Sequence, residues 1–337
     1  MTHPDPQPRP EHAAAAPAPR RPWYVLPIDL VRGALIGMAE LVPGVSGGTV
    51  ALVTGVYDQL IDSADHVVQA GRRLVFGPDR LRSAGAELRR TNWLLIIPVL
   101  IGMIAAVFTL AGVMKDFVTD TPEHARGLFF GLVAASIIVP LRMMPARKPG
   151  RPPFVELLML AGAVVVAFVL TSFAGGRTID DPALPLVFVA AAVAICALVI
   201  PGISGSFFLL AVGLYAPTMS AVDERNLPYL GTFMLGAIAG LAAFVKVLHH
   251  LLHNHRRSTL LIMSGLMIGS LRALWPWQTD GADGEGAGAL LAPGEPLWGP
   301  IGLAVLGAVV VLALVAVEER LKAGPAQHRE VEPDTTL

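Results

Sequence analysis

Two short stretches of this chain combine residue types that could hold an anion in an apolar setting: Pro43-Gly44-Val45-Ser46-Gly47 and Pro201-Gly202-Ile203-Ser204-Gly205. The agreement runs on through Leu52, Gly55 and Tyr57 in the first copy and Leu210, Gly213 and Tyr215 in the second. Seven of fifteen positions are identical, at a constant offset of 158. In each copy the Pro-Gly pair ends one helical arm, and the serine that follows stands where it can cap the next. A helix N-terminus offers free N–H groups and partial positive charge, which suits an anion and phosphate above all. Gly44, Gly47, Gly48, Gly202 and Gly205 let backbone approach a ligand closely, and Ser46, Thr49, Ser204 and Ser206 add hydroxyl donors. The same glycines could serve close helix packing instead. A break duplicated at matching places is the stronger pointer to a transport site.

Glu40 is the one acid between Asp29 and Asp58. An ionisable group at membrane depth is costly, so it reads as a proton carrier or as part of a polar binding network, against the plainer role of capping loose N–H groups of the facing loop. The second copy has Leu198 there, which breaks the symmetry. Arg272, followed by Ala273, Leu274, Trp275 and Trp277, could catch a phosphate near the outer surface or snorkel beside an aromatic belt. Arg32 and Lys246 read as snorkelling anchors. His249 and His253 have the i, i+4 spacing of metal ligands, but with no carboxylate or cysteine beside them and Arg256 and Arg257 following, a basic helix end is expected rather than a metal site. The single cysteine, Cys196, cannot form an internal disulfide and reads as a small buried hydrophobe. Neither a metal nor a cofactor nor a nucleic-acid partner is expected.

These residues need elements that carry them into a bilayer. With 54% hydrophobic and 15% charged residues over 337 positions, the chain reads as an all-α integral membrane protein. Runs long enough to span appear at Trp93 to Met114, Phe154 to Phe173, Leu227 to Val245 and Leu297 to Val317. Two shorter runs, Gly127 to Leu141 and Ser258 to Leu271, echo one another: Gly131-Leu132 with Ser136 matches Gly265-Leu266 with Ser270 at an offset of 134. Gly162 to Val166 is repeated by Gly307 to Val311.

The motif segments, Ile28 to Ile61 and Leu184 to Ser220, are too long for one straight span and too short for two. Loop charge decides between a broken span and a re-entrant hairpin. Arg9, Arg20 and Arg21 precede the first motif and Arg72, Arg73, Arg80, Arg82, Arg89 and Arg90 follow it, so both flanks belong inside and the segment is a hairpin. Carrying the rule onward gives about six spans, two re-entrant hairpins and an N-terminus inside. Each half then crosses an odd number of times, so repeat 1 (23–173) and repeat 2 (184–317) are inverted. The insert at 62–91 reads as an amphipathic helix on the inner surface, or else as a solvated loop. Residues 1–22 and 322–337 read as disordered cytoplasmic tails.

At Glu40-Leu41-Val42-Pro43-Gly44-Val45-Ser46-Gly47-Gly48-Thr49, followed by Gly55-Val56-Tyr57, and again at Pro201 to Phe207, the chain resembles the bacterial polyprenyl-phosphate transporter family, over roughly residues 25 to 320. The resemblance implies translocation of undecaprenyl or a related polyprenyl phosphate across the cytoplasmic membrane. That recycles the lipid carrier of peptidoglycan and other envelope polymers. Coupling to a proton, through Glu40, or to sodium is a separate expectation that the resemblance does not supply. A weaker similarity links the motifs to undecaprenyl-diphosphate phosphatases. Thr49 stands where their signature His would fall and Gly205 where their Arg would fall, departures that favour carrying the lipid over cutting it. A phosphatase, a small-anion transporter and a non-transporting scaffold are the competing classes.

Overall fold

The computed structural model describes residues 25–41, 45–77, 79–147, 152–172, 179–280 and 287–323. In chain order, α1 (Leu26–Glu40), α2 (Gly47–Val53), α3 (Tyr57–Phe76), α4 (Arg80–Arg90), α5 (Trp93–Asp120), α6 (Pro122–Ser136), α7 (Ile138–Arg142) and α8 (Pro153–Ser172) make the first half. The second half has α9 (Leu184–Val199), α10 (Gly205–Ala211), α11 (Tyr215–Asp223), α12 (Leu227–Asn254) and α13 (Arg256–Ser270). A 3-10 turn (Leu271–Leu274), a small antiparallel pair β1 (Gln278–Asp280) and β2 (Ala287–Leu290), and α14 (Trp298–Ala323) complete it. Helix starts follow local chemistry: α1, α6, α9 and α12 carry proline in the first turn, where its missing N–H costs nothing, and the Asn226 side chain accepts from the Tyr229 N–H at 3.2 Å.

Five helical stretches are long and apolar enough to cross a membrane: in α5, α6 with α7, α8, α12 and α14. Their outward faces keep Ile97, Ile101, Ile104, Phe108, Leu157 and Leu235 exposed, as expected of helices bathed in lipid. The sixth expected span, Ser258 to Leu271, is the 15-residue α13, shorter than the other five and continued by the 3-10 turn Leu271–Leu274. Helices α5 and α12 are both 28 residues long, and α6 and α13 both 15, so the sequence offsets reappear as matched elements.

Glycine contacts fix helix directions. A Cβ on Gly33 would stand 2.7 Å from Val99 Cα, and one on Gly37 would stand 2.6 Å from the Met103 carbonyl oxygen. Four residues forward on α1 is four forward on α5, so the pair runs parallel. Gly236 against Phe188 and Gly240 against Ala192 give the same sense to α9 and α12. The start of α5 and the end of α12 both meet α3: the Asn92 N–H donates to Ser63 Oγ at 3.4 Å, and His249 Nε2 lies 3.4 Å from Asp62 Oδ1. Helices α5 and α12 therefore run in opposite directions. Helix α1 points away from the Arg-rich face that holds α3 and α4, and α9 points toward it from the acidic face that holds Asp180, Asp181 and the β-pair.

The remaining long helices pair across the halves. Gly127 and Gly131 of α6 abut Pro300 and Ala304 of α14, while Gly265 and Gly269 of α13 abut Leu160 and Val164 of α8. Absence of a side chain lets backbones approach where no hydrophobic effect drives helices together. Gly131→Leu, whose side chain would run into the Ala304 carbonyl, should cost about 1–3 kcal/mol or more by overpacking and lower the melting temperature in detergent. Gly162→Leu, with nothing within 4 Å of its Cβ, should leave it unchanged.

The insert differs from the single helix expected at 62–91. Helix α3 runs uninterrupted from the end of the first motif to Phe76, and α4 folds back on it. Glu87, 1% exposed, joins them by reaching His66 at 3.0 Å and Arg73 at 2.6 Å. Leu74, Val75, Phe76 and Leu81 stay exposed at the tip of this hairpin. Both terminal tails assigned from sequence fall wholly or almost wholly outside the described residues.

Candidate functional site

The two breaks meet. Ser46 and Thr49, each 2% exposed, sit at the start of α2 against the end of α9. The Ser46 hydroxyl lies 3.2 Å from the Ile200 carbonyl oxygen and 3.4 Å from that of Leu198. The Tyr57 hydroxyl donates to the Val199 carbonyl at 3.0 Å, and the Gly202 N–H donates to Thr49 Oγ1 at 3.0 Å. A helix ends with carbonyls that lack intrahelical partners, and hydrocarbon supplies none. Here the first half satisfies the orphan carbonyls of the second.

Close approach makes glycine necessary at three of these positions. Gly202 has φ +91 and backs onto Met267, whose backbone nitrogen a Cβ would meet at 2.6 Å; at Gly48 a Cβ would meet the Val199 carbonyl oxygen at 2.7 Å. Gly205 presses on Ala194, with 2.6 Å between an added Cβ and the Ala194 carbonyl oxygen, so the arginine of the phosphatase signature has no room there. Gly44 lies outside the described residues.

Both serines occupy the N-cap position in extended conformation, yet neither makes the expected cap bond. Ser46 is drawn across to the α9 carbonyls, and Ser204 Oγ pairs with Ser206 Oγ at 2.9 Å. The N-terminus of α2 is instead held by Glu40, whose Oε1 accepts from the Gly47 N–H at 2.9 Å. Glu40 thus caps its own hairpin, not the facing loop, and a Cβ on Gly47 would collide with its carboxylate.

The four hydroxyl residues do not converge on one point. Ser204 borders a narrow cleft of about 30 Å³ toward the acidic face, with Thr171, Ile203, Phe207 and Ser270. Beside it, Arg272 donates to the Thr171 carbonyl at 3.2 Å and to the Gly288 carbonyl at 3.1 Å, with its guanidinium 5.6 Å from the Phe168 ring centre. It straps β2 to the end of α8 instead of extending to a lipid interface. Toward the Arg-rich face the space is larger. A chamber of about 380 Å³ is lined by Leu52, Tyr57, Asp58, Arg142, Arg256 and Glu319. Ion pairs Arg142–Glu319 at 2.8 Å and Arg256–Asp58 at 2.7 Å cross it, and Asp58 Oδ1 is buried with no hydrogen-bond partner among the described residues. Tyr57 joins this chamber to the crossing of the breaks. An apolar groove of about 470 Å³ runs between α6 and α14, lined by Phe130, Trp275, Trp277, Pro300, Ala304 and Val305.

Several contacts were not foreseeable from sequence. Arg32 is paired with the fully buried Asp29 at 2.9 Å rather than left to snorkel alone. Glu156 ties the starts of α8 and α13 through Arg257 at 2.8 Å, with Arg147 at 3.1 Å. The expectation that no carboxylate accompanies the histidines fails, because folding brings Asp62 of α3 to His249. Asp58 and Asp62 lie one helical turn apart beyond Tyr57, and that spacing was the available signal.

Helices all apolar on their outer faces, arranged around two broken helices that meet, define a multi-pass α-helical membrane protein. The sequence model of the undecaprenyl phosphate translocase-like family matches residues 36–286, and the chain belongs to that family. It is 34% identical over 253 residues to a polyprenyl-phosphate transporter of Vibrio cholerae serotype O1, covering 74% of this chain and 77% of the relative. It is 29% identical over 264 residues to a polyprenyl-phosphate transporter of Staphylococcus aureus, covering 74% and 86%. No solved structure matches the chain significantly.

Proposed function

We propose that this protein flips polyprenyl phosphate, undecaprenyl phosphate foremost, across the cytoplasmic membrane to return the lipid carrier of envelope synthesis. Family membership and the names of the two relatives support this reading, and one observation carries it: two helix breaks that meet through Thr49 and Gly202. The opposite directions of α1 and α9 support an inverted repeat with two re-entrant hairpins. Placing the Arg-rich face inside, with both termini, follows from loop charge.

In this reading the headgroup travels past Glu40, Gly44, Ser46, Gly47, Gly48 and Thr49 on one tip and Gly202, Ser204, Gly205 and Ser206 on the other. Its oxygens take over N–H and hydroxyl groups that now bind one another. The large chamber at the Arg-rich face and the narrow cleft opposite correspond to an inward-open state. Arg272 would exchange the Gly288 carbonyl for phosphate when the outer cleft opens. The prenyl tail suits the apolar groove between α6 and α14, or the lipid beside it. No covalent step is needed, and the crowding at Gly205 argues against hydrolysis.

The test is leaflet accessibility of polyprenyl phosphate in proteoliposomes with and without the protein. The expected result is a faster exchange between leaflets with no inorganic phosphate released from polyprenyl diphosphate. An unchanged rate defeats the proposal, and phosphate release would reassign the chain to hydrolysis.

A further inference from the structure

At the Arg-rich end of α12, His249 and His253 are one turn apart with rings stacked at 4.2 Å, and Asp62 faces them from α3. One ligand atom from each of the three lies within 4.8 Å of the others. Zinc bonds of ~2.0–2.1 Å in tetrahedral geometry place neighbouring ligand atoms ~3.3–3.4 Å apart, and His249 Nε2 stands 3.4 Å from Asp62 Oδ1. His253 has one ring nitrogen left available to an ion. Its Nδ1–H donates to the His249 carbonyl at 2.9 Å, which fixes the tautomer and leaves Nε2 with its lone pair. His253 is exposed, so an ion can enter from the aqueous side. The neighbouring candidates are engaged elsewhere: Asp58 with Arg256, and His66 with Glu87.

We propose that Asp62, His249 and His253 bind a divalent transition-metal ion of the zinc class, with water in the remaining coordination position. Two imidazoles and one carboxylate suit such an ion better than magnesium or calcium, which prefer all-oxygen shells. The site lies outside the lipid path and bridges two elements that belong to different halves. Helix α3 continues directly from Tyr57, the residue that reaches the α9 carbonyls, so a bound ion pins the first break to α12. Zinc should therefore restrain transport without touching the headgroup site.

Zinc chloride titrated into untagged full-length protein in detergent, followed by calorimetry, should show saturable binding of one ion per chain. Asp62→Asn and His253→Ala should each weaken it on the order of 100-fold, by comparison with what loss of even an outer-shell partner costs. The His250→Ala, His255→Ala double variant should bind as wild type. X-ray absorption at the zinc edge should report two imidazole ligands, a readout that misfolding does not mimic. Absence of saturable binding, equal affinity in the Asp62→Asn variant, or loss in the His250, His255 variant would overturn the assignment.

Discussion

Glu40→Gln is expected to slow polyprenyl-phosphate exchange by about tenfold or more and to flatten its pH dependence, with little change in fold. The amide oxygen of glutamine can still accept from the Gly47 N–H, so the cap on α2 survives in weakened form. A charge-assisted hydrogen bond is roughly twice as strong as a neutral one, which puts the stability loss at about 1 kcal/mol. A group that only caps would show that small thermal shift and no more. A group that changes its charge during the cycle is frozen in the neutral form by glutamine, and the transport rate then loses its response to pH. Glu40→Ala separates the contributions further, because it removes the cap as well and should lower the melting temperature beyond the glutamine variant. Wild-type exchange with an unaltered pH profile in Glu40→Gln would eliminate the coupling role and leave capping alone.

The second large effect is expected at the crossing. Gly202 combines φ +91 with a backbone contact to Met267, so Gly202→Leu must both strain the chain and push α13 away. It should abolish transport and destabilise the protein by several kcal/mol, of the order assigned to overpacking and backbone strain together (~2–6 kcal/mol). Since that variant could fail simply by misfolding, Thr49→Val is the sharper probe. Valine keeps the shape and removes the acceptor, leaving the Gly202 N–H buried without a partner at a cost of about 1–3 kcal/mol. Thr49→Ser restores the hydroxyl and should restore most of the rate. Transport by Thr49→Val at the wild-type rate would show that the crossing is scaffold and not part of the path.

What could be read from sequence and what could not divide along physical lines. The offsets of 158 and 134 located α2 against α10 and α6 against α13 because duplication preserves spacing even where identity fades. Helix breaks were legible too, since proline and glycine act locally. Partners of polar side chains were not. Ser46 had an evident local acceptor role at the N-terminus of α2, yet orphan carbonyls 152 and 154 residues away took its hydroxyl. For Glu40 the plainer role weighed against proton carrying or binding was a cap on the facing loop, and the N–H it accepts from lies seven residues on in its own hairpin. Asp62 met His249 only because an insert without a counterpart in the second half folded onto α12. The boundary read between Ile61 and Asp62 falls inside α3, because the composition turns polar there while nothing in the backbone interrupts the helix.

The pairing of α6 with α14 and of α8 with α13 bears on how the chain acquires its structure. In each half, the glycine face of the second long helix has its complement only in the other half. A chain cut between α8 and α9 would leave each fragment with a bare glycine seam in the bilayer, so each should be less stable alone than in the intact protein. Although the sequence reads as two units, the packing ties the stability of each half to the other. Newly inserted α6 must wait for the last helix to be made before it finds its final partner.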